Sequence, residues 1–359
     1  MLFSKKVISV VATTLVISGC GTTPEATQPE TTQPNIHPAD KFDLTNWKVT
    51  LPLDADGNGK ADEINVKDIQ TFSHPDFFYL NTNNEMVFAA SNKAKTTSGS
   101  SNTRSELRQM IRGMDTSIKT NAPGNNFALT ENKEGVVFGG KMNATLKVNH
   151  VAERAGHPEK PPAYSVVVGQ IHAKKDKKQI KAGTGFGYGN EPLKIYYKKF
   201  PEHEYGSVFW NYERNLEKTD PNRTDIAIPV WGNTWENPAE PGKAGIALGE
   251  EFSYEVNVHN NIMHLTFSAP NKETIKYSIN LADNIDAFGN VDPKDNLGGY
   301  AGDLMYYKAG AYNQCSTKDA DAMWYTACPG TGDWATDKAN GDYVDVAFSK
   351  LTLSESTQP

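Results

Sequence analysis

Residues 251–281, EFSYEVNVHNNIMHLTFSAPNKETIKYSINL, contain three short stretches in which apolar and polar residues alternate. Alternate residues of a β-strand share a face of the sheet. One face of this segment is apolar and consists of Phe252, Tyr254, Val256, Val258, Met263, Leu265, Phe267, Ile275, Tyr277 and Ile279. Asn260-Asn261 and Pro270-Asn271 supply turn residues between the stretches. The segment therefore predicts a three-stranded antiparallel meander with one buried face.

The same alternation recurs along the chain between turn residues, and no segment shows a long, capped helical period. The further stretches are NWKVTLPL (46–53), GKMNATLKVNHV (140–151), YSVVVGQIHA (164–173), LKIYYKKF (193–200) and DYVDVAFSKLTLS (342–354). Many short strands with turn punctuation predict an all-β protein, either a sandwich or a jelly roll.

The N-terminal residues predict export and a lipid anchor. Residues 1–19 have the pattern of a signal peptide, because Lys5 and Lys6 precede an apolar run that is too short to span a membrane. Ile17-Ser18-Gly19-Cys20 resembles a bacterial lipobox, which predicts lipidation of Cys20. The alternative is an ordinary secreted chain. Residues 20–40 are rich in Thr, Pro, Gln and Glu and predict a flexible linker, and residues 41–359 predict one folded domain.

Charge and cysteine content narrow the possible partners. The net charge of −7 argues against a nucleic-acid binder and against contact with an anionic membrane other than through the lipid. The chain has three cysteines. If Cys20 carries lipid, Cys315 and Cys328 remain as a pair, and export to an oxidising compartment favours a disulfide between them over two free thiols.

Three strands carry an unusual polar stripe. In RSELRQM, Arg104, Glu106 and Arg108 share a face, and in GQIHA Gln170 and His172 do the same. In YYKAGAYNQC (306–315) the shared face carries Tyr306, Lys308, Gly310, Tyr312 and Gln314. Such faces could bind a flat anionic ligand, or they could be solvated sheet surfaces whose ion pairs contribute little.

The sequence lacks the motifs that several other classes of enzyme require. The sequence has no phosphate loop between a strand and a helix, no zinc-type Cys/His cluster and no G-x-S-x-G motif. A glycoside hydrolase needs two opposed carboxyl groups, and Glu106 between two arginines is expected to stay ionised and unfit to act as an acid.

RSELR (104–108), QIH (170–172) and YYKAGAYNQ (306–314) resemble the signature strands of alginate lyases of polysaccharide lyase family 7. WKVTLP (47–52) and EPLKIYYKK (191–199) are similar to family members too. The resemblance implies a β-jelly roll whose concave sheet binds alginate, and cleavage by β-elimination that leaves an unsaturated sugar. We also expect a monomer that requires no cofactor. The alternative from another class is a non-catalytic module that binds acidic polysaccharides.

The resemblance also assigns roles to residues. Arg104, Gln170, His172 and Tyr312 match the catalytic positions of the family. Arg104 and Gln170 would stabilise the substrate carboxylate, and His172 would join them or act as base. Tyr312 would protonate the leaving oxygen, either alone in that role or serving as the base as well. Ile171 within the Q-x-H motif favours guluronate, and Gly310 would leave room for a sugar ring. The predicted substrate-binding residues are Glu106, Arg108, Lys308, Gln314, Tyr306, Lys194 and Tyr196.

The segment DADGNGKADEIN (54–65) partly matches a calcium loop. Asp54, Asp56, Asn58 and Asp62 fall at ligand positions, but Asn65 replaces the expected bidentate glutamate and no helices flank the segment. An Asp- and Gly-rich turn is the favoured interpretation. A bound calcium ion would be structural, because the chemistry requires no metal.

Overall fold

The computed structural model describes residues 36–129, 137–318 and 324–359, and Ile36–Pro359 form one compact unit. The predicted signal peptide, Cys20 and the linker up to residue 35 lie outside the described residues. Export and lipidation therefore stay predictions, which mass spectrometry of the mature N-terminus would test.

The described residues are almost entirely β-structure, with the helices confined to short connections. The strands are β1 Trp47–Thr50, β2 Glu63–Ile64, β3 Phe78–Leu80, β4 Met86–Ser91, β5 Asn102–Gln109, β6 Phe127–Ala128, β7 Val137–Phe138, β8 Gly140–His150, β9 Ser165–Ala173, β10 Leu193–Lys198, β11 Tyr205–Glu213, β12 Asp225–Trp231, β13 Ile246–Ala247, β14 Glu251–His259, β15 Ile262–Ser268, β16 Ile275–Asn280, β17 Met305–Ser316 and β18 Tyr343–Ser354. The helices are α1 Lys177–Ala182 and α2 Trp334–Ala339, with 3₁₀ turns at Pro38–Asp40, Asp68–Thr71, Pro123–Asn125 and Gly242–Ala244.

Two sheets enclose the core. Sheet A has the order β12-β11-β10-β9-β17-β5-β1-β2, with the short strands β6, β7 and β13 at its sides, and sheet B has the order β16-β15-β14-β8-β18-β4-β3. All pairings except that of β6 with β7 are antiparallel among the described residues. The architecture is the predicted jelly roll, and every stretch of alternation noted in the sequence forms a strand.

The predicted meander in residues 251–281 forms strands β14, β15 and β16 of sheet B. Val256 pairs with Leu265 and Phe267 pairs with Ile275, as the alternation predicts. Asn260 and Asn261 both have positive φ, at 47° and 68°. A two-residue hairpin loop requires this conformation, and asparagine adopts it more readily than most residues.

The core lies between the two sheets, which are joined by hydrogen bonds from buried tyrosine hydroxyls. The Tyr254 hydroxyl on β14 donates to Val168 O on β9 at 3.1 Å, and the Tyr307 hydroxyl on β17 donates to Gly140 O on β8 at 2.7 Å. Both side chains are at most 2% exposed. Each buried ring stabilises the fold by about 1.5–3 kcal/mol through lost apolar surface, and its hydroxyl keeps a partner inside the core.

The strand order brings the three polar motifs together. Strands β9, β17 and β5 are neighbours in sheet A, so that Lys308 lies opposite Gln170 on one side and Arg108 on the other. Tyr312 lies opposite Arg104, and Tyr306 lies opposite His172. The polar stripes therefore form one continuous surface on the face of sheet A that points away from sheet B.

Strand packing explains why position 310 is a glycine. The register between β17 and β9 shifts between Ala309 and Tyr312, and Gly310 has a φ of 143°. A Cβ at Gly310 would lie 2.6 Å from Ser105 O and 2.8 Å from Glu106 Cα. Glycine is thus required by the close approach of β5, and the expectation that it leaves room for a sugar ring stays a prediction.

The predicted disulfide joins Cys315 at the end of β17 to Cys328, with a Cα–Cα distance of 5.3 Å. The bridge fixes the segment that carries Trp324 and Tyr325 to the C-terminal end of the central strand. None of the helices in the described ranges is both long and apolar enough to cross a bilayer.

The Asp-rich loop after β1 partly fits a calcium site. Oxygen atoms of Asp54, Asp56 and Asp62 lie within 4.8 Å of one another. The Lys95 ammonium, however, already forms an ion pair with Asp54 at 3.0 Å, and Asn58 Oδ1 accepts a hydrogen bond from the Lys60 backbone. The favoured interpretation therefore remains a turn stabilised by its own side chains.

We predict that the melting temperature of the protein is the same in excess calcium and in excess chelator. Lys95 already supplies positive charge to Asp54, so that a cation would have to displace it. Differential scanning calorimetry at matched ionic strength measures the effect. A rise of several degrees in calcium that is absent in Asp56→Ala would show that the loop binds the ion.

Candidate active site

The carboxylate of Glu106 is the common acceptor at the centre of sheet A. Glu106 Oε2 accepts from Arg104 Nη1 at 2.9 Å and from the Lys308 ammonium, and Glu106 Oε1 accepts from the Gln170 amide. These three donors come from strands β5, β17 and β9. Glu106 is only 2% exposed. The carboxylate therefore holds three cationic or amide groups through its two oxygens, and its predicted contact with substrate stays a prediction.

Glu106 is ionised, as the sequence predicted, but its partners differ from the predicted pair of arginines. Burial acts to raise the pKa of Glu106, and the charges of Lys308 and Arg104 outweigh it, so that the pKa lies below its usual value. Burial and the nearby Arg104 charge lower the pKa of Lys308 to about 8. The site thus holds two cations around one carboxylate and has an excess of positive charge.

Tyr312 lies beside Arg104 on the face of sheet A that carries the polar stripes of β5, β9 and β17, which is called the groove from here on. The Arg104 guanidinium carbon lies 3.8 Å above the centre of the Tyr312 ring. Ser100 Oγ accepts from Arg104 Nη2 at 3.0 Å and lies 3.3 Å from the Tyr312 hydroxyl. The side chain of Ser100, in the loop before β5, was not singled out from the sequence, and it links the two predicted catalytic residues.

Tyr306 holds the neighbouring side chains in place. Its ring stacks on His172 with centroids 5.2 Å apart and an interplanar angle of 8°, and the Arg108 guanidinium carbon lies 4.0 Å from its ring centre. Arg108 also donates to Asn126 Oδ1 at 2.7 Å and is only 6% exposed. The donors of Arg108 are thus largely used within the protein, and its predicted contact with substrate has little support.

Lys194 is committed to carboxylates of the protein. Its ammonium lies 2.9 Å from Asp225 Oδ2 and 3.6 Å from Glu191 Oε2, and its side chain is 5% exposed. The charge of Lys194 is thus balanced by two carboxylates of the protein, and its predicted binding of a sugar carboxylate stays a prediction. The same Glu191 lies 3.1 Å from His172 Nε2.

An aromatic cluster covers the predicted contact Tyr196. The Tyr196 and Phe209 rings stack 5.2 Å apart, and Trp235 packs edge-on against both at 5.0 Å. Trp324 in turn packs against Trp235 at 5.6 Å and is 45% exposed. Tyr196 is fully buried, so that the aromatic surface open to a sugar in this region is that of Trp235 and Trp324.

Gln314 also differs from its prediction. It is fully buried, and its Nε2 donates to Tyr312 O at 3.1 Å. The predicted contact of Gln314 with substrate stays a prediction, and it would require access to a side chain that is buried here. Several buried polar atoms near the groove have no hydrogen-bond partner among the described residues, namely Arg104 Nε, Tyr196 Oη, Asn211 Oδ1 and Gln314 Oε1. Unpartnered buried groups are rare in proteins and often mark sites that bind ligand or water.

The structure brings all four predicted catalytic residues to one face of three adjacent strands. Two further contributors were missed from the sequence. One is Glu191, the first residue of the quoted EPLKIYYKK segment. The other is Tyr325, which lies near Tyr312: burial, followed by the charge of Tyr312, raises the pKa of Tyr325 well above its usual value. Among the described residues, the Asp54 loop is the one group of acidic, histidine or cysteine side chains close enough to hold a metal, so that the groove itself presents no metal cluster.

Comparisons with known proteins agree with this arrangement. A family model described as alginate lyase matches residues 42–355. An alginate lyase from Klebsiella pneumoniae is 34% identical over 334 residues, which cover 89% of this chain and 92% of the relative.

Two solved structures are similar over almost their whole length. The alginate lyase from K. pneumoniae has a TM-score of 0.68 at 30% identity and is matched over 90% of this chain and 100% of its own. The exolytic PL7 alginate lyase AlyA5 from Zobellia galactanivorans has a TM-score of 0.70 at 34% identity, over 90% and 99%. The chain is thus a member of the alginate lyase family, that of polysaccharide lyase family 7.

Proposed function

We propose that this lyase cleaves alginate by β-elimination, with Arg104 and Gln170 stabilising the substrate carboxylate. The C5 proton of a uronate becomes acidic only when the charge that develops on its carboxylate is stabilised. Arg104 Nε is buried and has no hydrogen-bond partner in the described part of the chain, and the Gln170 amide has a second hydrogen beyond the one given to Glu106. These donors, which share Glu106 as acceptor and of which Arg104 packs against Tyr312, are the observation that carries the proposal.

The proton transfers are assigned to Tyr312 and His172. The Tyr312 ring lies under the Arg104 guanidinium, and Ser100 Oγ contacts both side chains. The positive charge of Arg104 stabilises a phenolate formed when the Tyr312 hydroxyl gives its proton to the leaving O4. His172 stands on the neighbouring strand β9 and acts on the C5 side of the sugar. Family membership supports an enzyme over the alternative of a non-catalytic binding module, which would need neither proton-transfer group.

We propose a preference for guluronate blocks. In guluronate the C5 proton and O4 lie on opposite sides of the ring, so that base and acid must be different residues, which two proton-transfer groups on different strands can supply. Ile171, whose identity favoured guluronate, is fully buried in the core. Its influence would therefore be indirect, through the placement of Gln170 and His172 on either side of it.

Tyr312→Phe is expected to lower kcat by about 10²–10⁴-fold, because the variant keeps the ring under Arg104 and loses only the transferable proton. The rise in ultraviolet absorbance from the unsaturated product measures the rate. Tyr79→Phe on β3 of sheet B is the matched control and should retain wild-type activity. A Tyr312→Phe protein with undiminished kcat would exclude Tyr312 as the proton donor.

Polyguluronate is expected to give a higher kcat/KM than polymannuronate with the purified wild-type protein. The physical reason is the separation of base and acid onto two residues. Both polymers are assayed at matched chain length by the same absorbance change. Faster cleavage of polymannuronate would contradict the preference, although it would leave the β-elimination chemistry intact.

A further inference from the structure

Glu191 lies against a predicted catalytic residue and has no role in the chemistry described above. It stands in the turn before β10, where its backbone N–H donates to Glu213 Oε2 at 2.8 Å. Its Oε1 lies 3.1 Å from His172 Nε2, and its Oε2 lies 3.6 Å from the Lys194 ammonium. The carboxylate is therefore fixed at both oxygens and by its main chain.

Both ring nitrogens of His172 face acceptors. Nδ1 lies 2.7 Å from Ala173 O, and a carbonyl oxygen can only accept, so that Nδ1 carries a hydrogen. Nε2 is then the nitrogen that gains or loses a proton, and it faces the Glu191 carboxylate. A ring with acceptors at both nitrogens is best satisfied in its protonated form, in which each nitrogen donates.

The charges behind Glu191 keep it ionised. Glu213 contacts Arg223 at 2.5 Å, and Asp225 contacts Lys194 at 2.9 Å. The three carboxyl groups of Glu191, Glu213 and Asp225 thus face two permanent cations, Lys194 and Arg223. If all three carboxyl groups were ionised, one negative charge would have no cation to balance it. Burial and the neighbouring carboxylates raise the pKa of Glu213 well above its usual value, whereas Lys194 and His172 overcome burial and lower that of Glu191.

Other groups act on His172 in the opposite direction. Burial lowers the pKa of His172, Glu191 raises it, and the positive charges on β17 and β5 lower it further. The charged or titratable groups facing this pair are Lys308 and Tyr306 on β17, Arg104 on β5, Lys194 and Tyr196 on β10, Glu213 on β11, Arg223 before β12, and Tyr325. Among those acting directly on His172, Glu191 is the carboxylate in contact with it.

We propose that Glu191 is a positioning residue of the lyase reaction, which fixes the ring of His172 and stabilises its protonated form against burial and two neighbouring cations. The proposal rests on the proposed function, in which His172 acts at the C5 side of the sugar. A buried carboxylate in a hydrolase triad likewise stabilises the imidazolium that forms, but it accepts from Nδ1 and leaves Nε2 for the reaction. Glu191 differs from it, because it faces Nε2, the nitrogen of His172 at which a proton is gained or lost. Without Glu191, the ring would be held by one nitrogen only and would remain neutral to lower pH.

Glu191→Gln keeps the size and the hydrogen-bonding capacity of the side chain and removes its charge. The variant should lower the pKa of His172, measured by NMR titration of the ring signals, which are assigned by their loss in His172→Ala. The limb of the kcat/KM profile that follows His172 should move to lower pH. This direction holds whether activity requires the neutral or the protonated ring, because either limb follows the same pKa. We expect kcat to fall by about ten-fold or more.

Glu255→Gln is the matched control, because Glu255 on β14 of sheet B pairs with Lys141 at 3.1 Å, away from the groove. It should leave both the His172 titration and the pH profile unchanged. If Glu191→Gln does not fold, Glu191→Asp serves instead, since it keeps the charge but withdraws it from Nε2 by one methylene and should lower the pKa of His172 by less.

An unchanged His172 titration in a folded Glu191→Gln protein would overturn the proposal. So would a variant with a lowered His172 pKa and a pH profile that superimposes on that of the wild type. The NMR titration does not depend on turnover. A wild-type protein without lyase activity would therefore contradict the proposed function and leave the role of Glu191 toward His172 to be decided by the titration.

Discussion

The site depends on one buried carboxylate that three strands share. Glu106 receives Arg104 from its own strand, Lys308 from β17 and Gln170 from β9, and it is almost inaccessible to solvent. A buried charge is tolerated only when it is paired and hydrogen-bonded, so that the carboxylate and its donors hold each other in one arrangement. Donors fixed before the substrate arrives need no reorganisation during the reaction, which is the condition for strong electrostatic stabilisation.

The jelly roll provides this arrangement through register. Arg108, Lys308 and Gln170 face one another across β5, β17 and β9, and Tyr312 faces Arg104 in a row nearer the disulfide. The close approach of β5 to β17 at Gly310 and the bridge from Cys315 to Cys328 fix the strand that carries Lys308 and Tyr312. A slip of one residue would turn these side chains into the core.

Alternation in the sequence predicted the strands β1, β5, β8, β9, β10 and β14 to β18, the all-β class and the shared face of each motif, because the period of a strand depends only on local geometry. It did not indicate the remaining strands, most of which are short. It could not predict which polar groups would use one another as partners. Glu106, Lys194 and Gln314 carry the residue types expected for a binding surface, but depth within the sheet commits them to the protein. Glu191 was missed because its contact with His172 arises between a turn and a neighbouring strand, where no local pattern applies.

The most direct test of this account is the kcat/KM of Glu106→Gln on polyguluronate. The variant keeps the shape of the side chain and removes the charge that Arg104, Lys308 and Gln170 share. Its folding is checked by circular dichroism, because removal of one member of a buried ion pair costs about 3–5 kcal/mol. We predict that a folded Glu106→Gln protein loses about 100-fold or more in kcat/KM, the scale of one lost electrostatic contact in a preorganised site. A folded variant with wild-type kcat/KM would contradict the account.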